Sequence, residues 1–263
     1  MMRLLAVDTS TQTLALCLAE GEPGLWQIRY NFQAVGKIQH GGSLLPAVVQ
    51  ALESVAWQQS DLDAVAVGIG PGSYTGLRIG VTFAKTLAQS LNISIYALSS
   101  LGVLASAHVP VESSQASTLL VPLMDARRLS AYAGVYQTSP EGLRTLQEDI
   151  HTDWVDFQAT LISLAEQTQA QSIQLIGEGL GPFLEQTEVA FQDRDMNIEQ
   201  RDGYQGMINL APALNTIAWQ EVEDVAVLTP NYAHATLAER EWAEKHHRQV
   251  ATGEENEQFI ERI

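Results

Sequence analysis

The sequence predicts an α/β protein made of two copies of one strand-and-helix plan, and three observations lead there. An apolar run ending in an aspartate, then a polar turn and an alternating strand, occurs around Leu4, Asp8 and Thr13, and again around Leu119, Asp125 and Ser130. A strand followed by a glycine turn that opens a helix occurs over residues 65–77, and again over 172–184. Both signals come in the same order each time, which is the mark of an internal repeat. We therefore expect two lobes meeting near residue 108, an N-terminal one over 1–108 and a C-terminal one over 109–263, with residues 240–249 of the tail packing back on the first as a helix and 252–263 a solvated end.

The first lobe begins with a strand. Residues 3–7 read as an apolar strand ending in Asp8. The polar turn Thr9, Ser10, Thr11, Gln12 and an alternating strand over 13–19 complete a hairpin. Residues 25–32 read as a third strand. A helix over 43–57 comes next, with Ser43 as its cap and Pro46 tolerated in the first turn. Leu45, Val48, Val49, Leu52, Val55 and Ala56 give it an apolar face at helical spacing.

The run GIGPGSYTGLRIG, residues 68–80, is the most specific feature of the chain. It comes after the apolar strand 64–67 and opens a helix over 75–91. Gly68, Gly70, Gly72 and Gly76, with Pro71, specify a tight loop, because glycine admits positive φ and close backbone approach. Ser73, Tyr74 and Thr75 sit where hydroxyls cap a helix or face an anion. The Gly-Lys-Ser/Thr ending of a phosphate loop is absent, and the dinucleotide pattern GxGxxG lacks its third glycine. We expect a loop that mainly holds a shape. In the helix, Arg78, Thr82, Lys85 and Gln89 form a narrow polar face, and Gly76, Gly80, Ala84 and Ala88 fall at i, i+4 spacing. A one-sided surface helix needs an apolar arc of only about 100°. This one should be covered on two sides, by its own sheet and by either helix 43–57 or a second protein chain. Leu45, Val48, Val49, Leu52, Gly76, Gly80, Ala84, Leu87 and Ala88 are the expected partner interface.

Composition narrows the class. With 263 residues, 46% hydrophobic and 17% charged, the chain can hold a large core and is not disordered. Its single cysteine, Cys17, lies in an alternating strand and reads as a core thiol. The start MMRLLAVD is too short for a signal peptide, and no apolar run reaches the ~18 residues of a membrane span. A cytoplasmic protein is expected. The formal net charge of −17 repels nucleic acid and anionic membranes, so RNA should be reached only through another protein.

Two such halves describe the actin-like ATPase and sugar-kinase fold, in which an acidic hairpin from each half stands near the phosphates of a nucleotide. Asp8 and Asp125 would hold those places. Three strings carry a sharper resemblance: LLAVDTST at 4–11, VAVGIGPGSYTGLRIGVTFAKTLA at 65–88, and VPLMDAR at 121–127. With His40, Ser43, Leu45 and Pro46, they resemble the bacterial TsaB (YeaZ) family, specifically in the first half and more loosely in the second. That resemblance implies a non-catalytic subunit that pairs with TsaD, a transferase of the same fold. Together with TsaE and a carbamoyl-adenylate-forming enzyme, these install threonylcarbamoyl on adenosine 37 of tRNAs reading codons that begin with A. It implies no required cofactor, with room for weak ATP or ADP and magnesium at the partner interface, and self-association when the chain is alone.

Departures from relatives matter. The metal-binding HxxxH pair of the TsaD side is missing; Leu98 and Gly102 stand in its place, and no metal site or catalytic residue is expected. In the family's DAR-x-x-E-V-Y pattern Asp125, Ala126, Arg127 and Tyr132 remain, but Ser130 replaces the glutamate. Asp125 and Arg127 read as an i, i+2 turn contact. Pro230 and Tyr232 keep the usual ending without its arginine. Two other readings stay open. One is an ATP-dependent phosphotransferase or ATPase using Asp8, Asp125 and the hydroxyls of Thr9, Ser10 and Thr11 around magnesium phosphates. The other is a metallopeptidase, for which no HExxH is present.

Overall fold

Period-two alternation in the first strand already fixes where its two faces go. In β1 (Met2–Asp8), Leu5 and Val7 point to one core and Leu4 and Ala6 to another, and all four are fully buried. The computed structural model describes residues 1–34, 40–109, 118–139, 142–201 and 208–232. β1 turns back into β2 (Leu14–Gly21) and then β3 (Gln27–Ala34), both pairings antiparallel. After α1 (His40–Ser54), β4 (Ala64–Gly68) joins the other edge of β1 in parallel, with Leu4 opposite Ala64. α2 (Tyr74–Leu91) leads to β5 (Ser94–Leu98), parallel to β4, and then to the short α3 (Ser100–Ser106).

The second half repeats this path. β6 (Thr118–Asp125), β7 (Ser130–Ser139) and β8 (Gly142–Asp153) form the antiparallel meander. α4 (Trp154–Thr168) crosses to β9 (Ser172–Ile176), parallel to β6, and α5 (Gly181–Phe191) crosses to β10 (Asn197–Arg201), parallel to β9. The strand order β5-β4-β1-β2-β3 is thus reproduced as β10-β9-β6-β7-β8. A repeated order with repeated strand directions shows the duplication that the paired motifs predict. This is the two-lobed, duplicated α/β plan of the actin-like ATPase fold.

Five layers result. α1 and α2 cover the outer face of the first sheet, and α4 and α5 the outer face of the second. Between the sheets lie α3 and α6 (Leu210–Ala213), packed on Leu4, Ala6, Ala64 and Ala66 from one side and on Leu120, Tyr136 and Ile176 from the other. Cys17 sits in this shared core, and burial pushes its thiol up to about 12, so it stays protonated and inert. β11 (Gln220–Glu221) returns to pair with β5 at the edge of the first sheet, carrying the chain back to its N-terminal half. Residues 233–263, including the expected helix at 240–249, lie outside the described residues. No helix among the described residues is long and apolar enough to cross a membrane.

Candidate functional site

The end of β1, the turn after it and the glycine loop form one closed polar knot. Asp8 is 0% exposed; its Oδ1 accepts from the Ser10 amide at 2.7 Å and its Oδ2 from the Ser100 hydroxyl at 2.7 Å. Ser100 Oγ in turn accepts from the Gly70 amide at 3.1 Å, and the Ser100 amide donates to the Gly70 carbonyl at 3.0 Å. Thr9 Oγ1 donates to the Gly76 carbonyl at 2.7 Å, and the Ser73 amide donates to the Ser10 carbonyl at 2.6 Å. Ser73 caps α2, its Oγ accepting from the Gly76 amide at 3.3 Å, while Thr75 faces outward in the first turn. Buried polar groups are costly unless paired. The Asp8 carboxylate and the Thr9 and Ser100 hydroxyls are paired within the knot, whereas the buried hydroxyls of Ser10 and Thr13 make no hydrogen bond among the described residues.

The glycines answer to that packing. A Cβ on Gly76 would overlap the Thr9 carbonyl, and one on Gly72, at φ 159°, would overlap the Ser10 carbonyl. Gly70, at φ 112°, has room only for hydrogen, since a Cβ would meet the Asn231 carbonyl at 2.6 Å. Gly70, Gly72 and Gly76 thus each lie against backbone of the same chain.

Asp125 holds the place in the second half that Asp8 holds in the first, yet it is exposed. Its Oδ1 accepts from the Arg127 amide at 2.6 Å, a turn contact that ties down Arg127, Arg128 and Leu129, all at positive φ. The two carboxylates are therefore not a matched pair facing one ligand. Within this chain the residues do not fit a magnesium-nucleotide site built on Asp8.

The expected interface residues divide. Val48, Leu52, Gly76, Gly80, Ala84, Leu87 and Ala88 are all buried in the chain's own first core, so the small-residue line is no open groove. The reason is local: the β1–β2 turn lies on that line, and a Cβ on Gly80 would overlap Thr9 Oγ1. α1 turns Leu44, Val48, Ala51 and Leu52 inward and leaves Leu45 at 54% and Val49 at 42% exposure. With Tyr74 at 48%, these are the exposed large apolar side chains among the described residues of α1 and α2. The second flank of α2 is covered by the returning C-terminal segment. Lys85 Nζ donates to the carbonyls of Ala226 and Leu228, each at 2.8 Å, and Leu228 is buried against the first core. The Asn231 amide donates to the Ile69 carbonyl at 2.7 Å, and Tyr232 stacks on Tyr74 at 4.9 Å.

Sequence reading missed Ser99, Tyr136 and Asp149, which join the halves, and Ser100, which ties Asp8 to the glycine loop. The signal was the serine pair opening a helix after a strand, with Gly102 three residues on.

Comparisons with known proteins fit this geometry. The family model for TsaD, tRNA N6-adenosine threonylcarbamoyltransferase, matches residues 34–258. The tRNA threonylcarbamoyladenosine biosynthesis protein TsaB of Bacillus subtilis is 32% identical over 251 residues, 92% of this chain and 99% of that protein. TsaB of Escherichia coli is 29% identical over 145 residues, 54% of this chain and 58% of that protein. A crystal structure described as an uncharacterized protein with similarity to peptidase YEAZ from Pseudomonas aeruginosa superposes with a TM-score of 0.65. It covers 89% of this chain and 100% of its own at 23% identity, which supports the fold alone. Matched over most of its length by the transferase model, and along nearly the whole of a bacterial TsaB, the chain belongs to the TsaB (YeaZ) family of tRNA threonylcarbamoyladenosine biosynthesis proteins.

Proposed function

We propose that this chain is a non-catalytic subunit that docks a TsaD-type transferase through the outer face of α1 and α2 and so supports threonylcarbamoylation of adenosine 37. The observation that carries the reading is the closed state of the Asp8 knot. A carboxylate with no exposed surface, already accepting a hydroxyl and an amide, is not available to a magnesium-bound phosphate. The same half exposes Leu45, Val49 and Tyr74 together with an ordered C-terminal segment, a surface suited to a protein. The strong acidity argues that tRNA is met through the transferase and not directly. TsaE would join through the same complex, the chain would self-associate when alone, and weak ATP or ADP with magnesium would sit only where a partner completes the site.

Calorimetric titration against the transferase tests this. Leu45→Glu and Val49→Glu place a charge on the docking face and should weaken pairing by at least tenfold, with unchanged circular dichroism. Wild-type affinity in both would move docking elsewhere. The ATPase reading is tested separately: magnesium-dependent ATP hydrolysis by the isolated chain, abolished in Asp8→Asn, would replace the subunit reading.

A further inference from the structure

Where the two halves meet, three side chains form a polar cluster inside a largely apolar contact. Ser99 precedes α3 in the first half, and Tyr136 on β7 and Asp149 on β8 come from the second. Ser99 Oγ donates to Asp149 Oδ2 at 2.5 Å, Tyr136 OH donates to Asp149 Oδ1 at 2.6 Å, and the two hydroxyls are 3.2 Å apart. Ser99 also caps α3, its Oγ accepting from the Gly102 amide at 2.8 Å. The surroundings leave room for this and little else. A Cβ on Gly134 would come within 2.7 Å of Asp149 Oδ1, and one on Gly102 within 3.3 Å of Ser99 Oγ.

The next residue, Ser100, is the one that holds Asp8 and Gly70. Adjacent serines at the start of one helix thus grip the second half with one side chain and the glycine loop with the other. We infer that the Ser99–Tyr136–Asp149 cluster is a proton-sensitive joint between the halves, linked through Ser100 to the glycine loop.

The electrostatics give the joint its direction. Burial pushes the Asp149 carboxyl up from 3.8 to about 6, against the hydrogen bonds from Ser99 and Tyr136 that favour the ionised form; the neighbouring Glu148 charge adds to the rise. Tyr136 is pushed up too, first by burial and then by the charge of Asp149. Among the described residues, α3 brings no charged side chain to the cluster. On β8 the titratable neighbours are Glu148 and His151, and on β7 they are Tyr136 and Tyr132, which stacks on His151 at 5.2 Å. A carboxyl with a raised folded pKa favours the closed joint fully below pH 3.8. That preference declines as pH rises to about 6 and is lost above it.

Hydrogen exchange of the full chain, corrected for intrinsic rates and monitored at the Gly102 and Gly70 amides from pH 5 to 8, tests the proposal. Protection in the wild type should fall about tenfold and level off above pH 6, since each pKa unit is a factor of ten in the opening equilibrium. In Asp149→Asn the profile should be flat. In Tyr136→Phe, which loses a bond favouring the ionised carboxyl, the fall should continue to higher pH. His151→Gln controls for an imidazole, which ordinarily titrates in the same range, and should keep the wild-type profile. A flat wild type, an unchanged Asp149→Asn, or a profile abolished by His151→Gln would overturn the joint. If Asp149→Asn does not fold, an unmoved profile in Tyr136→Phe overturns it equally.

Discussion

Asp8 and Asp125 show how far one residue's role depends on the chain packed over it. Each ends the first strand of its half, and each accepts an amide two residues on. Only Asp8 is then covered by a glycine loop and a helix-start serine, so only Asp8 becomes a buried tie. Asp8→Asn keeps the shape but turns an amide N–H₂ toward Ser100 or Ser10, and should cost roughly 1–3 kcal/mol in urea unfolding, the usual penalty for a disrupted buried hydrogen bond. Gly76→Ala must displace the Thr9 carbonyl from the first turn of α2. Overpacking of that kind costs about 1–3 kcal/mol. The same measurement on Gly181→Ala, where a Cβ meets nothing within 4 Å, should show no comparable loss. Equal effects at 76 and 181 would mean that helix propensity, not the close approach, sets the glycine.

At the scale of elements, α2 is the informative case. Its spacing of small residues was legible, and so was the need for cover on two sides. Spacing alone does not say what comes close, and here the close neighbour is the turn of the chain's own hairpin. Ala84→Glu, attractive from sequence as an interface test, would put a charge at a position with no exposure. It should unfold the first half and not merely break a contact. The exposed Leu45 and Val49 are the positions that separate docking from folding. The other cover, residues 224–232, had no readable periodicity, because its hold on α2 is made by backbone carbonyls that any sequence supplies. Lys85 makes that hold specific. Lys85→Met keeps the stem and removes the donors to Ala226 and Leu228. Exchange at residues 224–232 should then rise several-fold while α2 stays protected. No change there would assign the anchoring to Leu228 and the Tyr74–Tyr232 stack instead.

The duplication is the part of the whole molecule that the sequence states most openly, because β1, β4, β6 and β9 are short apolar runs bounded by turns. The joining of the halves is less legible. β11 is two residues long and exists through its pairing with β5, and the partners of Ser99 lie 37 and 50 residues away in sequence. The middle layer unites the molecule physically, since α3 presents Leu101 and Leu104 to a core drawn from both sheets. We expect the two halves to unfold as one unit. Leu101 is fully buried there, and Leu101→Ala should cost about 2–5 kcal/mol, the range for a leucine removed from a packed core. Trp154, sealed in the second half with its indole N–H on the Phe183 carbonyl at 3.0 Å, reports on that half. Trp26, stacked on Trp219 at 5.4 Å, reports on the first. Variants that leave one reporter at a time should show both melting at one lowered temperature in Leu101→Ala. A Trp154 transition left at its wild-type position while Trp26 melts early would make the halves autonomous, and would confine the inter-half joint to docking without shared stability.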